Sequence, residues 1–595
     1  MLFSELVEFY ERIEATTKRL EMTDILVELF RRTPPEIVDK VAYMTLGELY
    51  PPFVGIELGI AEKLALRALK AVTGASEKKI QELYGKLGDI GLTAEKLLTS
   101  KTQVTLFTEP LTIERVYSSL EKIAKTTGEG AIETKLQILV GILGSAQPKE
   151  AKYIMRMVTG TMRLGVADMT ILDALAVAYG GSKEVRDAFE RAYNISSDIG
   201  LVAKVAAEGG LRAIEEFRIR VGNPIRPMLA ERLSTAEEIL EKLDGKGLAE
   251  FKYDGERMQI HKRGDEIIIF SRRQENITAQ YPDVVNHARN CIKSKEAIVE
   301  CEAVAIDPET GDMLPFQELM HRRRKYDIEK AIEKYPVSLF FFDVLYADGQ
   351  DFTSKPLLER RKVLESIIEV NENVMLTESK LVKTPEELEA FFLKAVENGC
   401  EGAIVKSVSQ ESVYKAGARG WLWIKYKRSY VSKMIDTVDL VVVGAFYGRG
   451  KRRGKFGALL MAAYNSDEDV FESVCKVGSG FTDEDLAKLP EMLSPYISND
   501  KPPRVKSNMQ PDVWLKPGVV LEIIGDEITL SPIHTCCWGL VKEGAGLAIR
   551  FPRFTGRFRL DKSPEDATTS SEIKSMYERQ LKKVVEKPME GVENV

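Results

Sequence analysis

Glu250-Phe251-Lys252-Tyr253-Asp254-Gly255-Glu256-Arg257 sets a lysine two residues ahead of an Asp-Gly pair and closes on an arginine. A strand alternates its side chains, so Glu250, Lys252 and Asp254 share one face while Phe251 and Tyr253 share the other. Gly255 lets the backbone turn where a side chain would clash. A lysine amine becomes a nucleophile once desolvation or nearby positive charge favours its neutral form. Its natural target here is a nucleotide α-phosphate, giving a phosphoramidate and expelling pyrophosphate. The plainer reading is a β-hairpin, because Asp-Gly between apolar residues is a turn signal.

Further blocks follow downstream. They are Phe270-Ser271-Arg272-Arg273, Glu300-Cys301-Glu302-Ala303-Val304 and Phe340-Phe341-Phe342-Asp343. After these come Glu401-Gly402-Ala403-Ile404-Val405-Lys406, Trp423-Ile424-Lys425-Tyr426-Lys427 and, far along the chain, Arg550-Phe551-Pro552-Arg553-Phe554. In this order the set resembles the signature of the covalent nucleotidyltransferases, which include DNA ligases, RNA ligases and mRNA capping enzymes. The whole chain resembles the ATP-dependent DNA ligases of the archaeal and eukaryotic replicative kind. That resemblance implies nick sealing in replication, repair and recombination through a lysyl-AMP on Lys252, with ATP and Mg2+.

The resemblance also assigns roles. Arg257, Arg272, Arg419, Lys425 and Lys427 match positions that contact ATP or phosphate, where charge neutralisation lowers the barrier. Glu302 and Glu401 match the carboxylates that hold ribose and Mg2+, an ion suited to a few hard oxygen ligands. Glu302 is chosen over Glu300 because Ala-Val-Ala follows it. Phe342 is expected to stack on adenine and Glu250 to accept its exocyclic amine. Arg550 and Arg553 are expected to reach the β- and γ-phosphates when their domain closes. A capping guanylyltransferase shares the lysine chemistry, and a catalytically dead DNA-bridging scaffold shares the architecture. The long helical first region favours a ligase over the former, and no essential group is missing for the latter.

With 595 residues the chain exceeds one domain; roughly three to five are expected at ~100–200 residues each. Its 44% apolar and 29% charged content is that of an ordinary globular protein, and the net charge of −7 argues mildly against binding nucleic acid by bulk attraction. Basic clusters at His321–Lys325 and Arg449–Lys455 offer local positive charge instead. Six cysteines without a CxxC pair and only four histidines argue against structural zinc. No apolar run reaches the ~18 residues of a membrane span and no signal peptide is legible. The reading is therefore an intracellular, cytoplasmic and nucleoid-associated protein, acting as a monomer with reduced thiols.

Helical spacing fills residues 1–221, starting with Leu2, Leu6, Phe9 and Ile13 and punctuated by Pro34-Pro35 and Pro51-Pro52. The resemblance makes this a helical domain that grips nicked double-stranded DNA. Within it Gln103-Val104-Thr105-Leu106-Phe107 resembles the peptides that dock on sliding clamps; a plain connector is the alternative. Gly222-Asn223-Pro224 opens an α+β adenylation domain over 222–429 with substantial antiparallel sheet. Five strand candidates between Val438 and Pro552 suit a small Greek-key barrel of the OB-fold type over 430–560. A helix over about Ser570–Glu586 and a charged tail complete residues 561–595.

Overall fold

Lys252 ends a strand, and the chain changes sheets immediately after it. The structure, a computed structural model, describes all residues except 101–108, 310, 315, 320, 321, 323–327, 427–436, 449–454, 526 and 586–595. The central strands are β1 Leu229–Leu233, β2 Gly247–Lys252, β3 Glu256–Arg263, β4 Glu266–Ser271, β5 Glu296–Ala305 and β6 Val337–Ala347. They continue with β7 Gln350–Asp351, β8 Val374–Leu376, β9 Ser379–Val382, β10 Gly402–Lys406 and β11 Arg419–Tyr426. One sheet runs β1-β11-β10-β2-β9; the other runs β4-β3-β5-β6-β7, with β8 beside β6. Pairing is antiparallel except for β1 with β11 and β6 with β8.

The expected hairpin at Asp254-Gly255 is absent. Both edges of β2 are already taken, by β10 and β9, so β3 cannot pair with it and crosses to the second sheet. Gly255 is required by that crossing: a Cβ there would stand 2.3 Å from the Ala303 carbonyl oxygen on β5. The apolar face of the quoted stretch anchors it. Phe251 packs against Phe391 of the helix Pro385–Glu397, with ring centroids 5.1 Å apart, and Tyr253 stacks on Phe340 at 3.9 Å.

The chain before Leu229 is helical, from Phe3–Glu14 to Ile199–Glu215. Phe3, Leu6, Phe9, Tyr10 and Ile13 bury one face of the first helix. Leu2, expected on that face, is instead the exposed residue before the helix, held extended by a bridge to Thr112. The helix Pro148–Val158 is buried all round, so Lys152 and Arg156 meet carboxylates inside the domain. Lys152 Nζ lies 2.6 Å from Glu11 and 2.8 Å from Glu14, and Arg156 reaches Glu14 at 3.0 Å and Asp89 at 2.9 Å.

The C-terminal half of the fold is a curled OB-type sheet around Val438–Tyr447, Phe456–Asn465 and Val470–Val477. Val520–Ile524 pairs with the first of these and with Arg553–Phe558, and a bridge from Ser479 to Arg553 bends the sheet toward closure. All five expected strands are present, joined by shorter ones at Ile497–Ser498, Val505–Lys506, Val513–Leu515 and Glu527–Ser531. A helix, Asp483–Leu493, also interrupts the strands, an element the strand candidates did not include; its Thr482 cap accepts from Asp485 N. The last helix spans Ser570–Val585 and packs on the barrel strands. Among the described residues no helix is long and apolar enough to cross a membrane. Gln103–Phe107 and most of the basic clusters lie outside the described residues.

Candidate active site

Lys252 sits at the seam between the two sheets. Its carbonyl accepts from Glu401 N at 2.8 Å and its Nζ is paired with the Glu401 carboxylate. Across the seam, β5 brings Glu302 to the same place, because Glu302 lies opposite Arg257 in the β3–β5 register. Burial pushes the Glu302 carboxyl up to about 7, against Lys252 and Arg257 and reinforced by Glu401 and Asp254. Asp254 is raised in the same way, by burial and then by Glu401, while Phe316 N donates to its Oδ2 at 3.2 Å. Three carboxylates thus crowd one amine. A set of hard oxygens short of positive charge fits a magnesium ion completed by phosphate and water.

A second group of charges faces the carboxylates. Lys425, two strands over from β2 on β11, has its amine pushed down by burial and then by Lys252, Arg272 and Arg419. Four cations from β2, β4's end and β11 therefore share one field. Like charges gathered this closely call for an anion. Arg257, expected among them, is directed elsewhere. Its guanidinium forks onto Glu300 at 2.8 Å and donates to Met228 O at 3.0 Å and the Tyr414 hydroxyl at 3.2 Å. Glu300, fully buried, also accepts from Tyr414, so it belongs to this structural cluster and not to the carboxylates around Lys252. Lys427 lies outside the described residues.

The pocket for a base is legible in the polar groups left unsatisfied. Glu250 is buried, with Lys406 Nζ 2.6 Å from Oε2 and Arg361 Nη1 3.6 Å from Oε1. Oε1, Lys406 Nζ and Arg361 Nη1 have no hydrogen-bond partner. Phe342 lies half-buried beside them, Lys406 Nζ being 4.9 Å from its ring centre and Trp423 meeting it edge-on at 6.3 Å. Phe340 and Phe341, by contrast, are in the core. Asp254 and Lys406 stand in the quoted blocks without an assigned role, and Arg361 stands in none of them. For Lys406 the signal was there: a lysine on the same face of β10 as Gly402 and Ile404, in a strand paired on both sides.

The two distal arginines divide. Arg550 ends the strand Gly546–Arg550, is 9% exposed, and donates to the Glu397 carbonyl at 3.4 Å. Cys400 feels both Arg550 and Lys252, which sets the two cations around the segment 397–401. Arg553 begins the next strand and is exposed.

Comparison with known proteins bears on what this geometry serves. Residues 2–176 match the family described as DNA ligase N terminus, 227–427 the ATP dependent DNA ligase domain, and 452–562 the ATP dependent DNA ligase C terminal region. The chain is 58% identical over 588 residues to "DNA ligase 2" of Thermofilum pendens, covering 98% of each chain. It is 56% identical over 598 residues to "DNA ligase" of Staphylothermus marinus, covering 98% of this chain and 100% of that one. Two sheets meeting at a lysine, carboxylates and cations on either side of it, and a match along nearly the whole length agree: this chain belongs to the ATP-dependent DNA ligases.

Proposed function

We propose that this ligase seals nicks through a nucleotide carried on Lys252 Nζ. The observation that supports it is the amine at the seam, paired with Glu401 and sharing its field with Asp254 and Glu302 and with Arg272, Arg419 and Lys425. Before attack the amine must leave Glu401 and lose its proton, freeing a lone pair. Its nitrogen then bonds to the α-phosphorus of ATP as the bond to pyrophosphate breaks. The 5′-phosphate at a nick next displaces the lysine, forming an adenylylated end. The neighbouring 3′-hydroxyl attacks the phosphorus of that 5′-phosphate, the bond to the adenylyl group breaks, AMP leaves, and the strand is continuous.

Arg272, Arg419 and Lys425 hold the phosphates, with Lys427 completing the set, while Arg257 braces the site from behind through Glu300. Glu302 and Glu401 would hold Mg2+, which when bound neutralises developing charge on the phosphate oxygens. Glu250, fixed by Lys406 and Arg361, offers Oε1 to the adenine amine above Phe342. Arg550 and Arg553 orient pyrophosphate in the first step only. The proposed division is 1–221 for gripping nicked DNA, 222–429 for adenylation, 430–560 for the barrel, and 561–595 for the terminal helix and tail. Monomeric action and clamp docking through Gln103–Phe107 are part of the same proposal.

Lys252→Ala tests the centre of this reading. Covalent labelling by ATP and sealing of an ordinary nick should both vanish. Persisting acid-stable label would move the nucleophile elsewhere. Arg550→Ala tests the step assignment: labelling should fall about 100- to 1000-fold, while a nick already adenylylated at its 5′ end is still sealed.

A further inference from the structure

The barrel meets the adenylation region through a small buried polar contact that no sequence block accounts for. Glu397 is the last residue of the helix Pro385–Glu397, on the segment that leads to Glu401. Its side chain is 8% exposed. Three barrel groups converge on it. Ser531 Oγ donates to Oε2 at 2.6 Å, His534 Nε2 lies 3.4 Å from Oε1, and Arg550 Nη1 donates to the Glu397 backbone oxygen at 3.4 Å. Ser531 and His534 are themselves buried. Around this point Lys542 meets Glu389 at 3.1 Å, and Lys476 meets Asp312 at 3.3 Å, with the members partly to well exposed.

A carboxylate at a helix C-terminus opposes the helix dipole, and burying it costs free energy unless it is paired. Among the described residues the pairing of its side chain comes from the barrel. Once the barrel leaves, water can take over, which suits a contact made and broken in each cycle. The same residue that binds Ser531 and His534 through its side chain receives Arg550 through its backbone.

We propose that Glu397 is a positioning residue for self-adenylylation: by docking Ser531 and His534 it holds the barrel closed and delivers Arg550 to the pocket of Lys252. This rests on the reading of Arg550 as a ligand of the ATP phosphates. Glu397 touches neither nucleotide nor DNA.

The test uses the full-length chain and single-turnover rates for two steps, covalent labelling by ATP and sealing of a pre-adenylylated nick. Glu397→Ala should slow labelling about tenfold or more and leave sealing of the pre-adenylylated nick within about twofold. Ser531→Ala should reproduce part of the loss. The double variant Glu397→Ala/Ser531→Ala should be no slower than Glu397→Ala alone, because both remove one contact. Equal loss in both steps, or additive losses in the double variant, would overturn the proposal and leave Glu397 a structural residue. Arg550→Ala, run alongside, separates the two readings. If it impairs labelling while Glu397→Ala does not, the positioning role fails alone. If Arg550→Ala spares labelling, the phosphate role of Arg550 has failed and the positioning role falls with it.

Discussion

Glu300 and Glu302 point from the same face of β5, yet their partners differ: Arg257 and Tyr414 for the first, the field of Lys252 for the second. The Ala-Val-Ala after Glu302 was enough to choose between them in the sequence. What the sequence could not convey was that Glu300 consumes Arg257, since cross-strand pairing depends on register. The two arginines should therefore behave differently. Arg257→Ala leaves Glu300 buried without its partner and should cost the fold ~3–5 kcal/mol, read as a lower denaturant midpoint. Arg272→Ala should leave that midpoint within ~0.5 kcal/mol while slowing covalent labelling. Gly255 gives a sharper case, because its added Cβ would meet backbone on β5 and not a flexible side chain. Gly255→Ala should cost ~1–3 kcal/mol by overpacking. It should lower the labelling rate about 100-fold, since an ångström of misplacement at a reacting centre has that effect. Retained activity would show that the seam can widen without consequence.

Among elements, Pro148–Val158 shows where periodicity stops being informative. Its apolar face was legible in Ile154, Met157 and Val158, and those residues are buried. Lys152 and Arg156 carry charge into the same enclosure, and their partners, Glu11, Glu14 and Asp89, come from distant positions that no period within the helix announces. Against the effect of burial, hydrogen bonds from Arg156 and Lys152 hold the Glu14 carboxyl down to about 2, below its ordinary 4.5. The unfolded chain then binds more protons between those values, so this contribution is complete above pH ~5 and is lost as pH falls toward 2. Glu14 keeps some solvent, which limits the effect to ~1 kcal/mol. Glu14→Gln should lower the denaturant midpoint at pH 7 and differ less from the parent at pH 3. A gap that stays constant with pH would remove the carboxylate from the account. Long strands of the barrel were legible for a similar reason: each alternates or runs apolar over several residues. Ile497–Ser498 and Val505–Lys506 are too short to carry a period; the first pairs with the three-residue strand Val513–Leu515 and the second with the long strand Val470–Val477.

At the scale of the whole molecule almost nothing was legible, because contacts between regions involve no repeating pattern. Helical and adenylation regions meet through Phe53 against Phe270 at 6.1 Å, Gln274 Nε2 donating to Ser197 Oγ, and Arg191 with Asp351 at 3.3 Å. Arg191 is half exposed, and such pairs contribute little. Arg191→Ala should therefore leave the thermal midpoint within ~1 °C. A larger drop would mean that this pair locks the helical region in place. The buried polar contact at Glu397 belongs to the other junction, where it sits beside apolar side chains shared by the two regions, among them Leu393, Val396, Ile528 and Leu530.

The change of sheets after Lys252 has a bearing on how such an enzyme can be taken apart. Lys252 and Glu401 move as one body, because β2 and β10 are paired and Glu401 N binds the Lys252 carbonyl. Glu302 rides on the other body with β3 and β5. Every sequence block is short, but none of them is a transplantable cassette. A chimera that took β2 and β10 from one parent and β3 and β5 from another could conserve each motif letter for letter, yet the width of the gap would be set by side chains between the sheets that no motif contains. The smallest portable version of this site is the pair of sheets together with the glycine that lets them touch.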